Sequence, residues 1–97
     1  KPIVCDIYFT TIGEKAREKA FELTQYLRRK GISSDMDHVG RSLKAQFKYA
    51  DKLGARFVGT LGDDELTSGQ LRLKEMATGS EEIVAFDRIA DYLQSRV

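Results

Sequence analysis

The sequence predicts a single α/β domain in which a five-stranded mixed sheet is flanked by three helices. The chain has 97 residues, a length that suits one domain with one core. Its composition, 41% hydrophobic and 32% charged residues, is typical of a globular protein. Short β-rich apolar runs alternate with segments whose apolar residues recur at steps of three and four. The order is strand–helix–strand–helix–strand, followed by two strands and a helix. The first three strands should therefore be parallel, with right-handed crossovers and helices on both faces.

The first strand is predicted over Ile3–Phe9, and the first helix follows it. Thr11–Glu14 fits a capping box, in which the threonine and glutamate side chains satisfy free amides where a helix begins. Gly31 is well placed to end the helix in a left-handed conformation. Phe21 lies off the apolar stripe, so it either contacts a neighbouring domain or packs over the sheet edge. The stripe consists of Ile12, Ala16, Ala20, Leu23 and Leu27.

The second helix is predicted to follow a weaker strand at Ile32–Met36. It runs from Ser42, as N-cap, to Leu53, and Gly54 ends it. Two of its faces differ in character. The face predicted to meet the core carries Leu43, Phe47 and Ala50. Another face carries Lys44, Lys48 and Lys52 at steps of four.

The third strand is predicted over Ala55–Leu61, which has few polar interruptions, as expected of a parallel strand covered on both faces. Gly62–Glu65 is predicted to be a tight acidic turn. The alternation in Gln70–Met76 predicts a strand with one face in the core. Leu71 and Leu73 should point inward, and Gln70, Arg72 and Lys74 outward.

The chain should end with a hairpin and a helix. A turn at Thr78–Ser80 leads into a strand over Glu81–Phe86. Asp87 is predicted to cap the last helix, whose inward residues are Ile89 and Leu93.

Composition limits the compartment and the function. The formal net charge is only +1, so nucleic-acid binding would require a local basic patch. The single cysteine, Cys5, excludes an internal disulfide and a CxxC metal pair, and its apolar surroundings favour a buried structural thiol. Without a membrane-spanning stretch or a signal-peptide pattern, a reducing, cytoplasmic compartment is expected. Because the chain begins at Lys1 and lacks an initiator methionine, we expect a fragment of a longer protein.

An enzymatic interpretation finds little support, and no catalytic residue is predicted. His38 is the only histidine; an Asp37–His38 pair is conceivable, but neighbours on a strand point in opposite directions. The sequence has no GxSxG serine, and Gly59 and Gly62 lack the spacing of a phosphate-binding fingerprint. The acidic residues of Gly62–Glu65 would bind Mg²⁺ weakly at best, so no metal site is predicted.

A binding interpretation has more support, because basic residues gather on two elements. Such clusters attract phosphates, and base-edge contacts then supply specificity. In single-stranded or loop RNA, Glu65 would accept a hydrogen bond from the amino group of a base, and Lys74 would donate one to a base carbonyl. The alternative is that the lysine row is only the solvated side of an amphipathic helix. The basic residues are Arg41, Lys44, Lys48 and Lys52 at the second helix, and Arg72 and Lys74 on a strand.

The chain also resembles a known family. Gly31–Asp37, the run RSLKAQFKYADKLGARF and the run GDDELTSGQLRLKEMATG are similar to the C-terminal anticodon-binding domain of class IIa aminoacyl-tRNA synthetases. Within that family the pattern is most similar to histidyl-tRNA synthetase. The resemblance spans nearly the whole chain and implies the same sheet of five strands with three helices.

The resemblance implies that the parent protein attaches histidine to its tRNA with ATP and Mg²⁺, as a homodimer. Those steps would belong to a catalytic domain whose motifs are absent here, and no cofactor is expected in this fragment. The partners that the resemblance implies are the anticodon stem-loop of a histidine tRNA and the catalytic domain of the parent protein. No membrane partner is implied.

The resemblance places anticodon contacts in the loop from Asp37 to Arg41, at Glu65 and at Lys74. Relatives specific for other amino acids often carry asparagine in that loop and arginine on the strand, where Gly40 and Lys74 stand here. Lysine lacks the bidentate fork of arginine, so Lys74 should make a simpler contact. The full set of expected RNA-binding residues is Asp37, Gly40, Arg41, Lys44, Lys48, Glu65, Arg72 and Lys74.

Two alternatives remain open. The same fold serves as a regulatory or protein-interaction domain in synthetase-like proteins that no longer charge tRNA. A small α/β enzyme or nucleotide binder resembling flavodoxin-like folds is the other alternative.

Overall fold

The computed structural model describes residues 5–96, and the elements follow the predicted order. The strands are β1 (Cys5–Thr11), β2 (Ser34–Met36), β3 (Ala55–Leu61), β4 (Gln70–Glu75) and β5 (Glu81–Ala85). The helices are α1 (Glu14–Arg29), α2 (Leu43–Leu53), α3 (Asp63–Ser68) and α4 (Ile89–Gln94), with a 3-10 turn at Phe86–Arg88. Residues 3 and 4 of the predicted first strand lie outside the described range.

The five strands form one mixed sheet in the order β2-β1-β3-β4-β5. β1 is parallel to β2 on one side and to β3 on the other, and β4 and β5 add antiparallel strands beyond β3. β2 and β5 are therefore the edges. The predicted fold class is confirmed, and the structure adds the short helix α3 to the three helices expected.

Helices cover the two faces of the sheet unequally. One face packs against α1 and α4, and its core includes Phe9, Leu27, Phe57, Leu71 and Leu93. On the opposite face α2 packs against β1 and β3 and buries Tyr8, Ala50 and Val58. β3 is thus covered on both faces, as predicted. The β4–β5 part of the α2 side remains open.

Three local predictions at the first helix need correction. Thr11 is not an N-cap: it pairs with Leu61, so it is the buried last residue of β1. Gly13 precedes α1, and no side chain caps that helix. Ile12 is 55% exposed, so the apolar stripe begins at Ala16. Gly31 has a positive φ of 81°, as predicted for the residue that ends the helix.

The acidic segment and the last helix also differ from the prediction. Gly62–Glu65 is not a turn but the beginning of α3, because acidic residues suit the first turn of a helix. Asp87 lies inside the 3-10 turn, and Arg88 stands before α4. The hairpin strand ends at Ala85, one residue earlier than predicted. Ile89 and Leu93 are fully buried, as predicted.

The second helix has the predicted ends but a different buried face. The Ser42 hydroxyl accepts a hydrogen bond from the Ala45 amide at 3.2 Å, and Gly54 closes the helix in the left-handed region. Ala50 is buried, whereas Leu43 and Phe47 are only half-buried. A polar residue of this helix, Gln46, is as fully buried as Ala50.

Two further residues of the sequence analysis can be placed. Cys5 is buried, and burial raises the pKa of its thiol to about 11, as suits an unreactive structural cysteine. Phe21 is 53% exposed and lines a surface groove beside Met36 of the edge strand β2. No helix within residues 5–96 is long and apolar enough to cross a membrane.

Candidate nucleic-acid interface

Three loops meet at the carboxyl ends of the parallel strands. β1 ends at Thr11, β2 at Met36 and β3 at Leu61, and α1, α2 and α3 begin within a few residues of these ends. In parallel α/β sheets the loops at the carboxyl ends of the strands form ligand sites, because helix N-termini also present free amides there. The loop of residues 37–42, which carries three of the predicted RNA contacts, lies at the carboxyl ends of these strands.

Asp37 organises that loop from within. Its carboxylate accepts hydrogen bonds from the amides of Gly40 (2.7 Å) and Arg41 (2.9 Å) and from Nε of Arg41 (2.8 Å). Burial alone would raise the pKa of Asp37, but these hydrogen bonds outweigh it, so the pKa lies below its ordinary value. The side chain is fully buried. The RNA contact of Asp37 stays a prediction, and in this structure its carboxylate faces the loop itself.

Arg41 is the exposed cation of the loop. Its guanidinium group lies over the Tyr49 ring, 4.8 Å from the centroid, while Nε stays bonded to Asp37. Tyr49 in turn packs against the buried Tyr8, with ring centroids 5.8 Å apart. Burial, followed by the charge of Asp37, raises the pKa of Tyr8 to about 12. The arrangement fixes one cation at a defined place above α2.

Gly40 is the tightest point of the loop. Its φ is 74°, and a Cβ there would collide with the guanidinium group of Arg17 from α1. Glycine therefore suits both the backbone conformation and the close approach of α1. An asparagine at this position would have to displace Arg17.

Glu65 is the third residue of α3, in the first turn of that helix. One carboxylate oxygen, Oε1, accepts a hydrogen bond from the Gly62 amide at 2.8 Å and so caps α3. Glu65 also lines a shallow cleft of about 90 Å³ with Arg72 and Ile83. Enclosed ligand pockets usually measure about 300–1,000 Å³, so this cleft suits a surface contact with a larger partner.

The outward residues of β4 continue that cleft as an open strip. Leu71 and Leu73 are buried in the core, so Gln70, Arg72 and Lys74 point to the side that α2 leaves open. Nε of Arg72 lies 3.6 Å from Oε1 of Glu81 on β5. We define the β4 strip as Glu65, Gln70, Arg72, Lys74 and Ile83, the last 61% exposed and opposite Arg72.

Comparison with known protein families identifies the family of this chain. The family described as the anticodon binding domain matches residues 6–96, which is nearly the whole chain. The chain belongs to the anticodon-binding domain family. Its β4 strip and the loop of residues 37–42 are thus features of a member of that family.

Individual relatives of this anticodon-binding domain give the same result. Histidine–tRNA ligase of Caldicellulosiruptor saccharolyticus is 44% identical over 97 residues, which is 100% of this chain and 23% of that protein. Apo histidyl-tRNA synthetase of S. aureus has a TM-score of 0.89 and 37% identity, covering 93% of this chain and 23% of that one. The Nostoc enzyme has a TM-score of 0.87 and 26% identity, covering 95% and 22%. The anticodon-binding domain thus spans about a quarter of these relatives.

The predicted lysine ridge lies on the same side of the sheet as the β4 strip, because α2 packs on that face. Lys44, Lys48 and Lys52 are all exposed, and no ion pair joins them to another residue between 5 and 96. Lys74 is half-buried on the strip, opposite Glu81. The structure therefore brings the predicted cations to one side of the anticodon-binding domain. It groups Glu65 with Arg72 in one cleft.

The conceivable Asp37–His38 pair is not formed. His38 is exposed, and its Nε2 lies 3.3 Å from Oδ1 of Asp35, whereas the Asp37 carboxylate turns toward Arg41. In the described part of the chain, no group of three His, Cys, Asp or Glu side chains could hold a metal ion.

Three residues of the interface escaped the sequence analysis. Ile83 falls within the predicted hairpin strand, and the helix pattern gives Tyr49 no distinct role. Gln46 carried a signal that could have been used, because it falls at the core spacing between Leu43 and Ala50. A polar residue at a buried position of a helix indicates a hydrogen-bonded role.

Proposed function

We propose that this domain binds the anticodon arm of a histidine tRNA within a longer histidine–tRNA ligase. The observation that carries the proposal is the β4 strip, an open sheet face with a carboxylate, two cations and an exposed apolar side chain in an anticodon-binding domain. A relative named as a histidine–tRNA ligase, 44% identical over the whole chain, supports the choice of amino acid. The order of motifs is consistent with that choice.

The chemistry of the strip suits an unpaired RNA loop. Bases that leave the stack expose their edges and faces to side chains on strands. The second carboxylate oxygen of Glu65, beyond the one that caps α3, would accept from a base amino group. Lys74 would donate to a base carbonyl, and Ile83 would pack on a base face. Arg41, Lys44 and Lys48 would hold the phosphates on either side, which fixes the register of the RNA.

The rest of the reaction is proposed for the parent protein. It would use ATP and Mg²⁺ to activate histidine, in a catalytic domain outside this chain and as a cytoplasmic homodimer. This anticodon-binding domain would contribute the recognition of the tRNA arm. The alternative, a regulatory or protein-interaction role of the same domain, is one outcome of the test.

The proposal is tested by titrating the isotopically labelled domain with a histidine-tRNA anticodon stem-loop at low and moderate salt. A stem-loop with a scrambled anticodon serves as the control. We expect amide shifts at residues 40–48, 65 and 70–74 that are larger for the cognate loop. Equal, salt-sensitive shifts for both loops would reduce the role to electrostatic docking. An absence of shifts would favour the protein-interaction alternative.

Lys74→Ala is expected to weaken binding of the cognate stem-loop by about 1–2 kcal/mol, because a base contact is lost. The scrambled stem-loop should lose less, and isothermal titration would measure both. Lys15→Ala, an exposed lysine on the opposite face of the sheet, is the matched control for the charge. Equal losses for Lys74→Ala and Lys15→Ala would remove Lys74 from the interface.

Lys48→Ala is expected to act through phosphate attraction alone. The slope of log K against log salt should fall by about one unit, with similar losses for cognate and scrambled loops. Binding curves at four salt concentrations would measure the slope. An unchanged slope would assign Lys48 to the solvated face of α2.

A further inference from the structure

The last residue of β1 lacks a strand neighbour on one side. The Ile12 amide donates to the Leu61 carbonyl at 2.9 Å, toward β3. Backbone groups of consecutive strand residues point to opposite sides, so the amide and carbonyl of Thr11 face the β2 side. β2, however, ends at Met36, opposite Phe9, and the chain has turned away before it reaches Thr11. Thr11 is buried, so its two backbone groups need partners.

The side chain of Gln46 supplies those partners. Its Oε1 accepts from the Thr11 amide at 2.7 Å, and its Nε2 donates to the Thr11 carbonyl at 2.9 Å. A carboxamide carries the same donor and acceptor as a peptide group, so Gln46 continues the ladder where β2 stops. The pair of bonds also fixes the orientation of the side-chain amide. If that amide were flipped, its NH₂ group would face the N–H of Thr11 and its oxygen would face the Thr11 carbonyl.

The remaining N–H of Gln46 reaches the loop of residues 37–42. Nε2 donates to the Arg41 carbonyl at 2.6 Å, so one buried side chain joins that loop to the end of β1. Asp37 holds the beginning of the loop and Gln46 its end. Between these two anchors lies the guanidinium group that stacks on Tyr49.

We propose that Gln46 is a positioning residue for RNA binding, which holds the Arg41 end of the loop in its binding conformation without touching the RNA. This inference rests on the proposed function. Three hydrogen bonds of a fully buried side chain carry it: two to the backbone of Thr11 at the end of β1 and one to the backbone of Arg41 in the loop. A residue that only filled the core would be apolar, as Ala50 is one turn further along α2.

The test compares Gln46→Met, which keeps the shape and removes all three bonds, with the unmodified chain. Leu93→Ala on α4, on the far face of the sheet, is the control for lost stability alone. Affinity for the cognate stem-loop is measured where each variant is fully folded by circular dichroism. Amide relaxation and hydrogen exchange at Thr11, Gly40 and Arg41 are recorded without RNA. Should Gln46→Met not fold, Gln46→Glu keeps the acceptor and removes only the two donated bonds.

We expect Gln46→Met to lose about three- to tenfold in affinity, as when a preorganised loop becomes mobile before binding. The Thr11 amide should exchange faster, and Gly40 and Arg41 should show greater motion. Leu93→Ala should lower the melting temperature and leave affinity and loop order unchanged. Unchanged affinity and loop order in Gln46→Met would overturn the inference. If the unmodified chain bound no stem-loop, the proposed function would fail, and unchanged relaxation would then overturn the loop anchor separately.

Discussion

Leu71→Ala is expected to lower the free energy of unfolding by about 2–5 kcal/mol. Leu71 is 1% exposed and packs in the core between the sheet and the α1–α4 layer, so truncation leaves a cavity. For a domain of this size, 1 kcal/mol corresponds to about 4–8 °C in melting temperature. Urea denaturation and thermal melting would both measure the loss.

Ile83→Ala is the matched control for that substitution. Ile83 lies on the neighbouring strand but points to the open face, and it should cost no more than about 0.5 kcal/mol of stability. Its effect should instead appear in RNA affinity. Equal stability losses for Leu71→Ala and Ile83→Ala would contradict the assignment of inward and outward faces on the hairpin.

Asp37→Asn is expected to weaken RNA binding although it removes a negative charge. Hydrogen bonds to a charged group contribute about 1.5–3 kcal/mol each, and an amide nitrogen facing the loop donors would lose at least one of them. The loop would then hold Arg41 less firmly. Stability should fall by a similar amount, as measured by urea denaturation alongside stem-loop titration.

Asp64→Asn is the control that separates loss of the Asp37 hydrogen bonds from loss of one negative charge. Asp64 is exposed on α3, and its substitution removes the same charge. We expect unchanged or slightly tighter stem-loop binding for this variant. If Asp37→Asn also tightened binding, the organising role of the Asp37 carboxylate would be wrong.

The stability of the unmodified chain should depend on pH through the same carboxylate. The folded pKa of Asp37 is lowered, so its contribution is fully present above the unfolded value of about 3.9. The contribution is lost as the pH falls through that value toward the folded pKa. Asp37→Asn lacks it at every pH, so the difference between the two unfolding free energies should shrink on acidification. Parallel profiles would contradict this assignment.

The fold was largely predictable because each element carries its own pattern. The stripe from Ala16 to Leu27 and the alternation in β4 each gave the right element and face. The errors occurred where one sequence suits two local structures. Thr11 is a good N-cap residue, but pairing with Leu61 extends β1 through it. The acidic residues after Gly62 suit a turn as well as the first turn of a helix.

The positions of the basic residues at the site could be predicted from the sequence. The buried side chains that hold the loop of residues 37–42 in place could not. Arg72 and Lys74 follow from the alternation of one strand, and the structure places both on the open face. Whether the side chain of Asp37 points outward or inward depends on the turn after β2. This direction cannot be predicted from hydrophobic periodicity, because a turn has none. Half-burial of Leu43 and Phe47 likewise follows from how α2 crosses the sheet. Their truncation should therefore cost less than that of Leu71.

The two edges of the sheet have a consequence for self-association. An exposed strand edge is a template on which another chain can add, which leads to aggregation. Here β2 offers only three residues, and β5 offers five that begin with the two carboxylates of Glu81 and Glu82. A strand approaching β5 would have to displace water from these charges and disturb their contacts with Arg72 and Arg96. Short length protects one edge and charge protects the other, so the domain can keep the face beside β5 open for its ligand.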